Sequence, residues 1–111
     1  MKHQIWYDKT NDILREKLIG SFTEDDVAEY IELMKKVYGS CNHAHVIVDV
    51  SQARQPFFDS WTRQALLEQS GRLHYYDEKV AFLKANPDIH IRVMELVEAM
   101  RLRGKPLRIN F

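Results

Sequence analysis

Cysteine, glycine and proline are all scarce in this chain of 111 residues, which has one cysteine, four glycines and three prolines. With Cys41 alone, no intrachain disulfide can close, and a chain that folds without one suits a reducing cytoplasm better than an oxidising exterior. The glycines fall at the ends of predicted elements, so none is left for a phosphate-cradling loop, and no Gly-x-Ser-x-Gly elbow presents a nucleophilic serine. Net charge is missing as well: sixteen Lys plus Arg balance sixteen Asp plus Glu. Such a balance produces no field that would steer the whole molecule toward nucleic acid or an anionic membrane. No apolar run approaches the roughly 20 residues that span a bilayer, and Met1-Lys2-His3-Gln4-Ile5-Trp6-Tyr7-Asp8 lacks the apolar stretch of a signal peptide. A soluble cytoplasmic protein without nucleic-acid partners or transmembrane segments is expected.

What is present is ordinary globular composition, 45% hydrophobic and 29% charged. A single domain over residues 1–111 is expected, burying roughly 65% of the surface its unfolded chain exposes, enough for one layered core without metal or disulfide.

Ile5, Trp6 and Tyr7 followed by the polar turn 9–12 and the extended pattern Ile13 to Ile19 predict a β-hairpin, ended by Gly20. Thr23 with Asp26 is a near version of the capping box, acidic residues fill the first turn, and Lys35 and Lys36 the last. Between them Val27, Tyr30, Ile31, Met34, Val37 and Tyr38 fall on one stripe, so a first helix runs to Gly39. Val46-Ile47-Val48-Asp49-Val50 is nearly continuous and β-branched, the pattern of a central strand covered on both faces. Gln52 to Pro56 reads as a polar connection and Phe57 to Gln69 as a second helix closed by Gly71, although without a clean apolar stripe. Val80 to Leu83 predicts another buried strand. Asn86-Pro87 gives a cap followed by proline at the first helical position, opening a third helix that buries Ile89, Val93, Leu96, Val97 and Met100 and stops at Gly104. Leu107, Ile109 and Phe111 alternate with polar residues as a last strand near an edge. The order β-β-α-β-α-β-α-β predicts an α/β fold: a mixed sheet of four to five strands, parallel after the initial hairpin, with three helices.

This order and three local patterns resemble the STAS domains, the fold of the bacterial anti-sigma-factor antagonists. Val46-Ile47-Val48-Asp49-Val50-Ser51 is similar to the family's apolar strand ending in Asp-Leu-Ser. Phe57-Phe58-Asp59-Ser60 is similar to its Phe-Ile-Asp-Ser before the second helix, and Pro87 with Ile89 and Val93 to its proline-started third helix. The resemblance covers nearly the whole chain and implies a non-enzymatic regulatory module. One departure matters. In the phosphorylated antagonists the acceptor is the second Ser of an Asp-Ser-Ser-Gly run, whereas Asp59-Ser60 is followed here by Trp61 and Thr62. That points away from a kinase-driven switch of the same type and toward STAS-like proteins, some of which have been likened to lipid-transfer domains.

Candidate sites each carry two readings. Ser60 beside a helix start is either part of the cap or a phosphoacceptor, because a phosphate there would meet unpaired N–H groups. Asp49, inside an apolar strand and near the carboxyl end where parallel sheets bind ligands, either caps the following loop or contacts a ligand. His43 and His45 point to one face of a strand, but with only Cys41 nearby they lack the ligand set of a structural zinc, so no metal and no cofactor are expected. Phe57, Phe58 and Trp61 cannot all face inward on a helix; they either cover one end of the sheet or line a binding surface. On the third helix Ile91, Met94 and Leu102 lie opposite Ile89. With helices on one sheet face that side has no second layer, so the residues are either scattered exposed apolar groups or a homodimer contact with Glu98 and Arg101 at its rim.

Two functions follow. The first is a regulatory module that binds a protein partner through the second helix and its preceding loop. The second is a small binding domain for a lipid or other apolar ligand, using Phe57, Phe58 and Trp61 with Tyr75 and Tyr76. No residues have the arrangement of a catalytic triad, and no enzymatic activity is expected.

Overall fold

The computed structural model of the chain describes residues 2–38, 45–69, 79–104 and 108–111. Gly39, Cys41, His43, Gly71, Tyr75, Tyr76 and Leu107 lie outside the described residues.

The hairpin forms as expected from β1 (Gln4–Asp8) and β2 (Ile13–Lys17), paired antiparallel. Strands β4 (His45–Asp49), β6 (Lys79–Leu83) and β7 (Arg108–Asn110) then add in parallel, giving a five-stranded sheet of order β1-β2-β4-β6-β7 with β4 central and β7 at an edge. Helix α1 (Glu24–Tyr38) shows one arm of the expected capping box: the Thr23 N–H donates to Asp26 Oδ2 at 2.8 Å, while the Asp26 N–H donates to the Thr23 main-chain carbonyl at 3.0 Å rather than to its hydroxyl. Helix α3 (Pro87–Leu102) is capped by Asn86, whose Oδ1 accepts from the Ile89 N–H at 2.9 Å. Of their expected inward stripes, Val27, Ile31 and Met34 of α1 and Ile89, Val93 and Met100 of α3 are buried, while Tyr30, Val37, Leu96 and Val97 are half-buried against the core.

Four sequence expectations are corrected. β4 is not covered on both faces: Val46 and Val48 are buried, while Ile47 and Asp49 point to the other side and stay half-buried. The three helices all cover the side that carries Leu14, Val46, Val48, Val80 and Phe82, and a nearly continuous apolar strand satisfies a one-sided sheet because its outward Ile47 is flanked by Arg15 and Ala81. Gly20 does not end the extended chain. Its φ of +70° lets the chain turn out of β2 and continue as β3 (Gly20–Phe22), which pairs in parallel with β5 (Ala53–Phe57), the segment expected as a loop. Pro56 and the exposed Arg54 and Gln55 fit a strand with a free edge, since proline cannot donate to a second neighbour. For the same reason α2 (Ser60–Gln69) begins three residues later than its aromatic run suggests: Phe57 belongs to β5, Phe58 takes φ +48°, and Asp59 is the cap.

Candidate functional site

Two places result from this arrangement, one at the entrance of α2 and one inside the core. At the entrance, the Phe58 N–H donates to the Phe22 carbonyl at 3.1 Å, tying the turn to β3. Asp59 Oδ1 accepts from both the backbone N–H and the hydroxyl of Thr62, each at 2.9 Å. The Thr62 N–H bond, ahead of other causes, holds the Asp59 carboxyl below the usual carboxylate range. Arg63 Nη1 donates to the Phe58 carbonyl at 2.9 Å and to Glu95 Oε2 at 2.7 Å, so the turn before α2 is fastened to α3.

The expected aromatic group divides here. Phe57 and Phe58, with ring centroids 4.3 Å apart, are buried against Phe22, whereas Trp61 is 72% exposed on the first turn of α2. Ser60 is also exposed, beside the capping carboxylate rather than acting as the cap itself. Asp49 closes its own loop: Oδ1 accepts from the Ser51 N–H at 2.8 Å, and the Ser51 hydroxyl followed by its N–H lowers the Asp49 carboxyl. Among the described strands the order β1-β2-β4-β6-β7 runs without reversing, so no switch point of the sheet falls beside Asp49. His45 Nδ1 accepts from the Lys79 N–H at 3.2 Å, and no group of three metal-binding side chains occurs among the described residues. On α3, Ile91, Met94 and Leu102 are exposed as the helical pattern predicts, beside a Glu98–Arg101 pair at 2.6 Å.

The second place is a cavity of about 70 Å³ between the sheet and all three helices. Among the described residues its wall is apolar except for Glu16 and Tyr30, and of Phe57, Phe58 and Trp61 it is Phe58 that lines it. Glu16 is 3% exposed and sits in a row across the covered face, Ile5-Glu16-Val48-Phe82, with no neighbour of opposite charge in that row. The Tyr30 hydroxyl donates to Glu16 Oε1. Burial pushes the Glu16 carboxyl up to about 7, against the opposing effect of the Tyr30 hydrogen bond. Sequence reading missed Glu16, although the signal was there: Leu14, Glu16 and Leu18 share one parity of the strand, so an inward carboxylate follows from alternation alone.

The architecture defined here, an α/β layer with a hairpin-led and otherwise parallel sheet and three helices on one side, is that of the SpoIIAA-like fold. No family model matches the chain, and no curated protein matches it. Among solved structures the chain is similar to an uncharacterised protein of the DUF3478 family with a SpoIIAA-like fold from Shewanella loihica PV-4, at 17% identity, covering 98% of this chain and 84% of that one, with a TM-score of 0.63. It is also similar to the anti-sigma factor antagonist SpoIIAA in its unphosphorylated form, at 15% identity over 92% of this chain and 98% of that one, with a TM-score of 0.50. At these identities the likeness is one of fold, and it agrees with the STAS-like order read from the sequence.

Proposed function

We propose that the chain is a non-enzymatic regulatory module that binds a protein partner through the start of α2. The observation that carries this reading is Trp61, a large aromatic side chain left 72% exposed on a rigidly capped helix. Exposed tryptophans on fixed elements are the side chains that anchor protein interfaces. The fold likeness to an anti-sigma factor antagonist supports the same reading. Ser60 lies in the middle of this surface. A phosphate there would sit next to the Asp59 carboxylate that already holds the helix end, so modification would loosen the cap and change the surface Trp61 stands on. Partner capture compared between wild type, Trp61→Ala and Ser60→Glu tests the proposal, with Met94→Ala as a control elsewhere. A partner lost in the first two and retained in the control is expected; capture unaffected by Trp61→Ala overturns it. Phosphopeptide mapping that finds Ser51 or Thr62 modified in place of Ser60 overturns the assignment of the acceptor.

A second reading, an apolar-ligand domain, is favoured by the cavity. Its space holds a handful of non-hydrogen atoms rather than a lipid acyl chain. Native mass spectrometry of the purified protein tests it, a bound small molecule being the expected result and a clean unliganded mass counting against it. The same measurement reports assembly. In a homodimer the outer side of α3 would meet its copy through Ile91, Met94 and Leu102, and Glu98 and Arg101 would have to exchange their present pairing for one across the axis. Sedimentation of wild type and Met94→Asp decides this: a dimer abolished by the substitution is expected, and equal behaviour of the two rules the strip out as a contact.

A further inference from the structure

An apolar cavity needs no carboxyl group, and a carboxyl group buried among aliphatic side chains normally has a cation beside it. Glu16 has none. Among the described residues its hydrogen-bond partner is the Tyr30 hydroxyl of α1, and no Lys, Arg or His forms an ion pair with it. Among the described residues the rest of the cavity wall supplies no other titratable group: β4 and β6 contribute Val46, Val48, Val80 and Phe82, and α2 and α3 contribute leucines and Met100. Arg15 and Lys17 are on the same strand as Glu16 but alternate to the opposite side of the sheet.

We propose that this cavity binds a small primary alkylamine, the ammonium group paired with the Glu16 carboxylate and Tyr30 hydroxyl and the alkyl chain lying against the valines and leucines. The inference rests on reading the cavity as a ligand site and adds the chemical class of the ligand. Complementarity is what selects the class. A protonated amine brings the missing cation, and its remaining atoms match a wall whose other described residues are apolar. A carboxylate of the same length would place a second negative charge against Glu16 in a space shielded from water, and an alcohol would make one neutral hydrogen bond. The volume of about 70 Å³ limits the chain to a few carbons, so long-chain amines and polyamines are excluded by size and by their second charge.

Butylamine, butanol and butyrate, matched in length, are suitable probes for titration into the whole protein by calorimetry or ligand-observed NMR at about pH 8, where the amine is still protonated. Butylamine is expected to bind at least about tenfold more tightly than butanol, and butyrate not to bind. In Glu16→Gln, which keeps the side-chain shape, the amine should fall to the level of the alcohol while butanol binding is retained. The NMR titration of the labelled Glu16 side-chain carboxyl in the wild type gives a measurement independent of that variant: butylamine should move its midpoint downward, and butanol should not. Butanol binding as tightly as butylamine, or a Glu16 midpoint unmoved by the amine, overturns the amine assignment and leaves the ligand site standing. Failure of all three probes to bind wild type overturns both.

Discussion

The two sides of the central sheet obey different rules, although they are made from the same strands. On the helix-covered side Leu14, Val46, Val48 and Val80 are buried, and every polar group there needs a partner, as Glu16 has in Tyr30. On the open side a row of Trp6, Arg15, Ile47, Ala81 and Asn110 mixes apolar and charged residues that water reaches. The same division recurs on α3, where Ile89 and Val93 are fully buried and Ile91 and Met94 face outward. Residue type does not distinguish the sides. Isoleucine occurs on both, and a glutamate lies on the dry one, so the energetic weight of a position follows from its parity on the strand or its angle on the helix.

Truncation on the covered side gives the largest expected effect. Leu14→Ala should destabilise the protein by about 2 to 5 kcal/mol in denaturant unfolding, by lost burial and the cavity left behind. A loss below about 1 kcal/mol would mean that this side is looser than its burial indicates. Next comes Glu16. Its carboxyl stays protonated in the folded protein up to about pH 7 but ionises near 4.5 once unfolded. The folded state therefore holds a proton that the unfolded state has released, and stability is full below about 4.5 and declines as pH rises toward 7, by about 3 kcal/mol in all. Buried His3 acts in the opposite sense, because burial lowers its pKa and the unfolded state takes up the proton first as pH falls below 6.5. The difference between wild type and Glu16→Gln isolates the glutamate: the gap in stability should change across pH 4.5 to 7 and be flat elsewhere, and a constant gap would contradict the raised value.

Ile47→Ala on the open side should cost only about 1 kcal/mol, since that side chain is half-buried and keeps contact with water in both states. A loss equal to that of Leu14→Ala would erase the distinction between the faces. The smallest effect belongs to Met94→Asp, expected to alter monomer stability by no more than about 0.5 kcal/mol. A cooperative loss at low protein concentration would place Met94 in the core.

Legibility in the sequence followed the length and regularity of each signal. The stripe and acidic first turn of α1 and the Asn86-Pro87 start of α3 were readable because each element is decided by residues within itself, whereas β4 is central as expected although it is covered on one face and not two. The β3–β5 ribbon was not. Gly20–Phe22 and Ala53–Phe57 are short, one contains Pro56, and each is extended chiefly because it pairs with the other, some thirty positions away in the chain. That pairing also displaced the start of α2 and separated Trp61 from Phe57 and Phe58. Of the candidate residues, the strip on α3 was placed on the surface correctly by helical geometry, whereas which of Phe57, Phe58 and Trp61 faces water was left open by the sequence and is decided by the start of α2 at Ser60. Glu16 was overlooked because a lone charge in a strand ordinarily marks the wet side, and only its parity with Leu14 and Leu18 says otherwise.

The order of the strands bears on how the molecule comes into being. From β1 through β2, β4 and β6 to β7, spatial succession repeats chain succession, so every strand after the hairpin docks on an edge already made and none has to be inserted between two others. During synthesis the emerging chain can therefore extend its sheet one strand at a time, the growing edge on the side away from β1 receiving each later strand of the sheet in turn. The β3–β5 ribbon follows the same rule on a smaller scale, since β5 completes it immediately after β4 has docked. Growth in one direction leaves β7 as the last edge to be added to the sheet.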